Sequence, residues 1–237
     1  LTLGGQCLDL GKDGEPDELA LIVHGETVGG DPVTAMTRVP LAPAQTRAGR
    51  TGARLPFQGL WRCLAGPGDA PNVGARSAGW VFEALDRNGK AFSGDGLRAD
   101  EHFAYHRPVL APASGKVLAT VCVYPDMDAV SAHGAAAESG ENYIVLDHQN
   151  GERSYLGGLA KDSAKVFVGM SVTAGTEVAM VGNSGSVGRP SLVWRVLSGE
   201  AADSRVPVFL PFTLFAGGKA ARVSTAPETG DVLDGGR

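Results

Sequence analysis

Residues 141–185 read ENYIVLDHQNGERSYLGGLAKDSAKVFVGMSVTAGTEVAMVGNSG, and the class of the fold turns on how that stretch is punctuated. Two short apolar runs, YIVLDH at 143–148 and ERSYL at 152–156, are separated by Asn150-Gly151. Asn and Gly tolerate the positive φ angles of tight hairpin turns, so the pair predicts an antiparallel hairpin. Further on, SVTAGTEVAMVG at 171–182 alternates valine with small or polar residues between glycines. Successive strand side chains point to opposite faces, so this is the pattern of a strand with one face buried.

The same texture extends outward. LALIVHG at 19–25, KVLATVCVYP at 116–125, SLVWRVL at 191–197 and VPVFLPFTLF at 206–215 are short, valine- or leucine-rich and bounded by Gly, Pro, Asp or Asn. Almost no stretch shows a helical period. A mostly β, mostly antiparallel fold is expected, with one or two short helices at most. The first 55 residues hold two or three strands and end in PLAPAQTRAGRTGARLP (40–56), which reads as a linker or a long surface loop. Three segments follow from this: a β-rich segment with linker at 1–55, a β domain at 56–216 and a tail at 217–237. The tail is small and polar, and is expected to lie loose or as a strand along the surface.

Bulk properties bound the function. With 43% hydrophobic and 20% charged residues, 237 residues suffice for a globular core. A net charge of −5 leaves no basic footprint for nucleic acid. No apolar run approaches the ~18–20 residues of a membrane helix. No leader is visible ahead of Leu1-Thr2-Leu3, and an exported protein is expected to have lost it already. Cys7, Cys63 and Cys122 form no CxxC pair. They read either as buried small hydrophobes or as one disulfide plus one thiol, the latter fitting an oxidising compartment.

Four segments, in order, carry a family resemblance: PFQGLWRCLAG (56–66), YHRPVLAPASGKVLA (105–119), the 141–185 stretch, and GRPSLVWRV (188–196). Together they resemble the LytM/lysostaphin-type zinc peptidases of bacterial cell walls. The resemblance implies a zinc ion in a groove on a β-sheet, held by an upstream His, an Asp a few residues later and the second His of a His-x-His strand. It implies two further catalytic histidines, one being the first of that His-x-His pair. Imidazole and carboxylate suit zinc, and an open fourth position lets a bound water lose its proton near neutral pH.

At the matching positions this sequence holds other residues. The His-x-His strand is Ser191-Leu192-Val193, and Gly158 in SYLGGL stands for the other catalytic histidine. SAGWVFEA puts Trp80 at the aspartate, with Glu83 nearby; GDAPNVGARS (68–77), where the upstream His belongs, has none. Valine, glycine and tryptophan cannot ligate zinc, and a serine hydroxyl is a poor ligand at neutral pH. Trp80 is expected to lie over the former metal position. Arg195, two residues beyond Val193, is expected on the same face, either offering its charge to a carboxylate at the groove's end or pairing with a surface acid.

Other chemistries are weaker. His102 and His106 are four apart, but Pro108 disfavours helix before it and no His-Glu-x-x-His is present. Ser184, Ser186 and Ser191 lie in turn-like sequence, without a strand-to-helix nucleophile elbow. The resemblance with these substitutions implies a non-catalytic pseudo-peptidase without metal or other cofactor. It would serve as a binding, regulatory or structural module of the cell envelope or exterior, in the periplasm or outside the cell, with a protein or peptidoglycan as partner; oligomerisation stays open. The alternative is a zinc hydrolase with atypical ligands such as Asp100, His102 and His106.

Overall fold

The computed structural model describes residues 18–26, 32–40, 50–66, 79–130, 140–185, 188–198, 210–216, 219–225 and 227–236. Upstream-histidine segment 68–77, Cys7 and Ser186 lie outside them. The chain divides into two compact units, 1–46 and 47–237. In the first, β1 (Glu18–Glu26) and β2 (Pro32–Pro40) form an antiparallel hairpin with Glu18 opposite Pro40.

The second unit is built on one ten-stranded sheet. Its strands are β3 (Leu60–Ala65), β4 (Trp80–Ala84), β6 (Gly115–Val121), β7 (Tyr143–Asp147), β8 (Glu152–Gly157), β9 (Ser171–Val172), β11 (Leu192–Ser198), β12 (Leu210–Ala216), β13 (Lys219–Thr225) and β14 (Val232–Asp234). They lie in the order β13-β12-β14-β3-β4-β11-β8-β7-β6-β9. β5 (Pro108–Leu110) and β10 (Glu177–Met180) pair as a separate two-stranded sheet. All pairings are antiparallel, and the described residues contain one 3-10 turn, Ala99–Glu101, and no α-helix.

Alternation in the sequence becomes alternation in burial. β7 and β3 each bury every second residue. The core gathers on one face of the large sheet, around Phe57, Trp61, Trp80, Phe82, Trp194 and Leu233, and Val109, Val178 and Ala179 from β5 and β10 pack into it. The Asn150-Gly151 hairpin forms as expected, with Asp147 opposite Arg153. Its loop spans the four residues 148–151, and the positive φ angles fall at Gln149 (58°) and Gly151 (87°).

Two observations bear on the ends of the β domain. The stretch read as linker up to residue 55 divides earlier, because 50–55 belong to the β domain. The buried carboxylate of Glu152 accepts hydrogen bonds from the amides of Arg50 (2.7 Å) and Thr51 (2.8 Å) and from Thr51 Oγ1 (2.6 Å). Ala53 and Leu55 then enter the core. Near the C-terminus a short strand enters the sheet. β14 lies between β12 and β3, pairing with both, and Leu233 is fully buried. A three-residue strand with one buried leucine is too short to show a period in sequence.

Candidate functional site

β4, β11 and β8 are neighbours in mid-sheet, and their register decides which side chains meet. Trp80 faces Trp194, Val81 faces Val193 and Phe82 faces Leu192. On the other flank Val193 faces Gly157 and Arg195 faces Tyr155. Faces alternate along each strand, so Trp80, Phe82, Leu192, Trp194 and Val196 share the main core. Val81 and Val193 instead form a separate apolar cluster with Ala65 and Leu64.

Trp80 therefore lies on the core face of the sheet and not on the face of Val193. Its ring lies 5.1 Å from that of Trp194, and its Nε1 donates to the Pro227 carbonyl at 3.0 Å. Val81, one residue on, is what faces Val193. A one-residue difference in register moves a side chain to the other face of a sheet.

Gly158 also stands one residue from the position opposite Val193. It has φ +73°, and a Cβ there would sit 2.4 Å from the Ser191 carbonyl oxygen. Gly157 is the direct partner of Val193, and the space above it is taken. A Cβ on Gly157 would meet Glu141 Oε1 at 2.6 Å and the Tyr155 ring at 2.8 Å. The Tyr155 hydroxyl donates to Glu141 Oε2 at 2.6 Å, and its ring stacks on Tyr143 at 5.1 Å. Burial, with the Glu141 carboxylate beside it and hydrogen-bonded to it, pushes the Tyr155 phenol well above the usual tyrosine range; Arg195 pulls weakly the other way.

Arg195 lies on the Val193 face as expected, its guanidinium 4.9 Å from the centre of the Tyr155 ring. No described carboxylate comes within ion-pair distance of it, and its buried Nε has no hydrogen-bond partner. Ser191 is buried with its Oγ unpartnered. Glu83 falls two residues beyond Val81, on the same face, and is buried. Its Oε1 accepts from Arg62 Nε at 2.8 Å and from Arg62 Nη2, while Arg189 Nη1 stands 3.9 Å from Oε2. The sequence left the roles of Val81, Gly157, Glu141 and Tyr155 unread. Only a register for β4 and β8 against β11 could have revealed them.

The alternative ligands go separate ways. Asp100 makes two hydrogen bonds with Arg98, at 2.9 and 2.8 Å. Buried His102 places Nε2 3.0 Å from the Gly96 carbonyl, and His106 stacks on Tyr105 at 4.0 Å. Among the described residues no three His, Cys, Asp or Glu side chains converge as a metal group would require.

Residues 99–204 match the model of peptidase family M23. Over that stretch, a little under half of the chain, the sequence is similar to the M23 peptidases. No curated protein matches the chain. Among solved structures, the chain is similar to a mutant catalytic domain of the prophage-encoded M23 protein EnpA from Enterococcus faecalis, with 14% identity, 61% of this chain and 85% of that one covered, and a TM-score of 0.38. A putative peptidase M23 from Pseudomonas aeruginosa gives 18%, 81%, 71% and 0.40 in the same order. The catalytic domain of lysostaphin from Staphylococcus simulans gives 18%, 60%, 82% and 0.35.

The M23 resemblance implies zinc, and the residues found here do not fit it. Val193, at the position the resemblance gives to a histidine ligand, meets Val81; the two are 1% and 0% exposed and pack with alanine and leucine. An alkyl side chain offers no lone pair, and an apolar surround opposes a divalent charge. Gly158 contributes no donor, and Ser191 contributes only a neutral hydroxyl. No catalytic step through zinc follows from this set.

Proposed function

We propose that this M23 domain is a non-catalytic relative of the cell-wall peptidases, serving as a binding, regulatory or structural module of the cell envelope or exterior. The observation that carries the reading is the closed apolar contact of Val81 with Val193, at the place the resemblance reserves for metal ligands. The left-handed backbone of Gly158, where a Cβ would run into the Ser191 carbonyl, supports it, because the resemblance gives that position to a catalytic histidine. Periplasmic or extracellular placement, with a protein or peptidoglycan as partner, follows from the resemblance by analogy.

The test combines three measurements on the full chain, purified without chelator: zinc content by elemental analysis, release of soluble fragments from purified peptidoglycan, and co-sedimentation with the same material. Zinc well below one per chain and no released fragments are expected. About one zinc per chain together with fragment release would overturn the reading in favour of a hydrolase with atypical ligands. Absence of co-sedimentation would remove peptidoglycan as the partner and leave a protein.

A further inference from the structure

A cavity of about 630 Å³ opens beside β3, between Arg62, the 86–90 turn and the aromatic side chains of Phe92 and Phe103. Its size falls in the range of small-molecule sites, ~300–1,000 Å³. Its walls combine one fixed cation, one exposed cation and two aromatic rings.

Arg62 is the fixed cation. Glu83, whose side chain is 2% exposed, takes Nε and Nη2 of Arg62 and so holds the guanidinium, itself 40% exposed, in one orientation. Glu83 does not neutralise the group as a simple pair would, since Arg189 also approaches its second oxygen. Two arginines share one carboxylate, which leaves a surplus positive charge in a chain whose net charge is −5. Lys90 adds a second cation at the rim and has no ion-pair partner among the described residues. Asp86, the acid in the wall, is already engaged. Its Oδ1 accepts the amides of Asn88 and Lys90, each at 2.8 Å, and its Oδ2 faces Asn88 Nδ2 at 3.3 Å. Phe92, 39% exposed, is an apolar surface left open beside these charges.

We propose that this cavity is a binding site for a carboxylate carried on an apolar body, such as an aromatic or acylated amino acid. Arg62 and Lys90 hold the carboxylate, and Phe92 and Phe103 cover the apolar part. A guanidinium oriented from behind by a buried acid loses little freedom when it meets a second carboxylate, and its fork matches that anion's geometry. The cavity shares no lining residue with the Val81–Val193 cluster and does not depend on whether the domain is catalytic.

The experiment is calorimetric titration of the full chain with N-acetylphenylalanine and with its amide, N-acetylphenylalaninamide. The acid is expected to bind saturably in the millimolar range or tighter, and the amide about tenfold more weakly, the loss of one charge-assisted contact. Lys90→Met changes an exposed side chain and is expected to weaken the acid severalfold while leaving the melting temperature in place, and Phe92→Ala, whose ring also lies 5.3 Å from that of His102, is expected to weaken it likewise. Equal binding of acid and amide, no saturable binding of the acid, or unchanged affinity in both variants would each overturn the proposal.

Discussion

Trp80 and Val81 are neighbours in sequence and belong to opposite faces of the sheet, which separates what each substitution should do. Trp80→Ala removes a fully buried ring from beside Trp194 and leaves the Pro227 carbonyl without its donor. A loss of about 3–5 kcal/mol is expected, as for other buried large aromatics, read as a lowered melting temperature. Gly158 is sensitive for a backbone reason: its φ is +73° and any Cβ meets the Ser191 carbonyl. Gly158→Ala is expected to cost on the order of 1–3 kcal/mol in urea unfolding, while Gly169→Ala, which also has positive φ but open space around it, should cost less. Tyr155 adds a pH dependence. Its folded pKa is raised by burial and by Glu141, so its contribution is full below the ordinary tyrosine value of ~10 and is lost as pH rises above that value. The unfolding midpoint should therefore fall at alkaline pH, and Tyr155→Phe should flatten that fall.

At the scale of single elements, β14 shows how three residues can hold a sheet together. It bridges β12 and β3, and Leu233 is its buried side chain. Leu233→Ala is expected to destabilise by about 2–5 kcal/mol, measured by urea denaturation. A surface tail would lose almost nothing. The 86–90 turn depends on one exposed carboxylate. The Lys90 amide chiefly, with that of Asn88, holds Asp86 below the ordinary aspartate value, so the turn's support is present above that value and disappears as pH falls through the lowered one. The Lys90 amide resonance should titrate with a midpoint more acidic than that of a free aspartate, and Asp86→Asn should abolish the transition. Legibility from sequence differed among these elements for a physical reason. The β7–β8 hairpin was readable because alternation and the Asn150-Gly151 turn are local signals. β14 was not, because its only credential is Leu233 fitting between strands distant in sequence.

Across the whole molecule, residues 47–237 form a compact unit of their own, and Glu152 closes its beginning by accepting the Arg50 and Thr51 amides. Expressed alone, 47–237 is expected to keep a β-type circular dichroism spectrum and a cooperative thermal transition. A fragment beginning at residue 56 lacks the donors to Glu152 and the buried Ala53 and Leu55, and should melt lower. The amino-acid sequence by itself determined the class, an antiparallel β protein with an M23-like order of segments, and set Ser191 and Val193 at the positions the resemblance gives to a histidine pair. Those readings need only side-chain identity and a period of two. Tertiary structure alone decided that Val81 rather than Trp80 meets Val193, that Gly157 rather than Gly158 stands opposite it, and that Tyr155 and Glu141 fill the space above. Each of these depends on the register between strands far apart in the chain, and a shift of one residue there exchanges the two faces of the sheet.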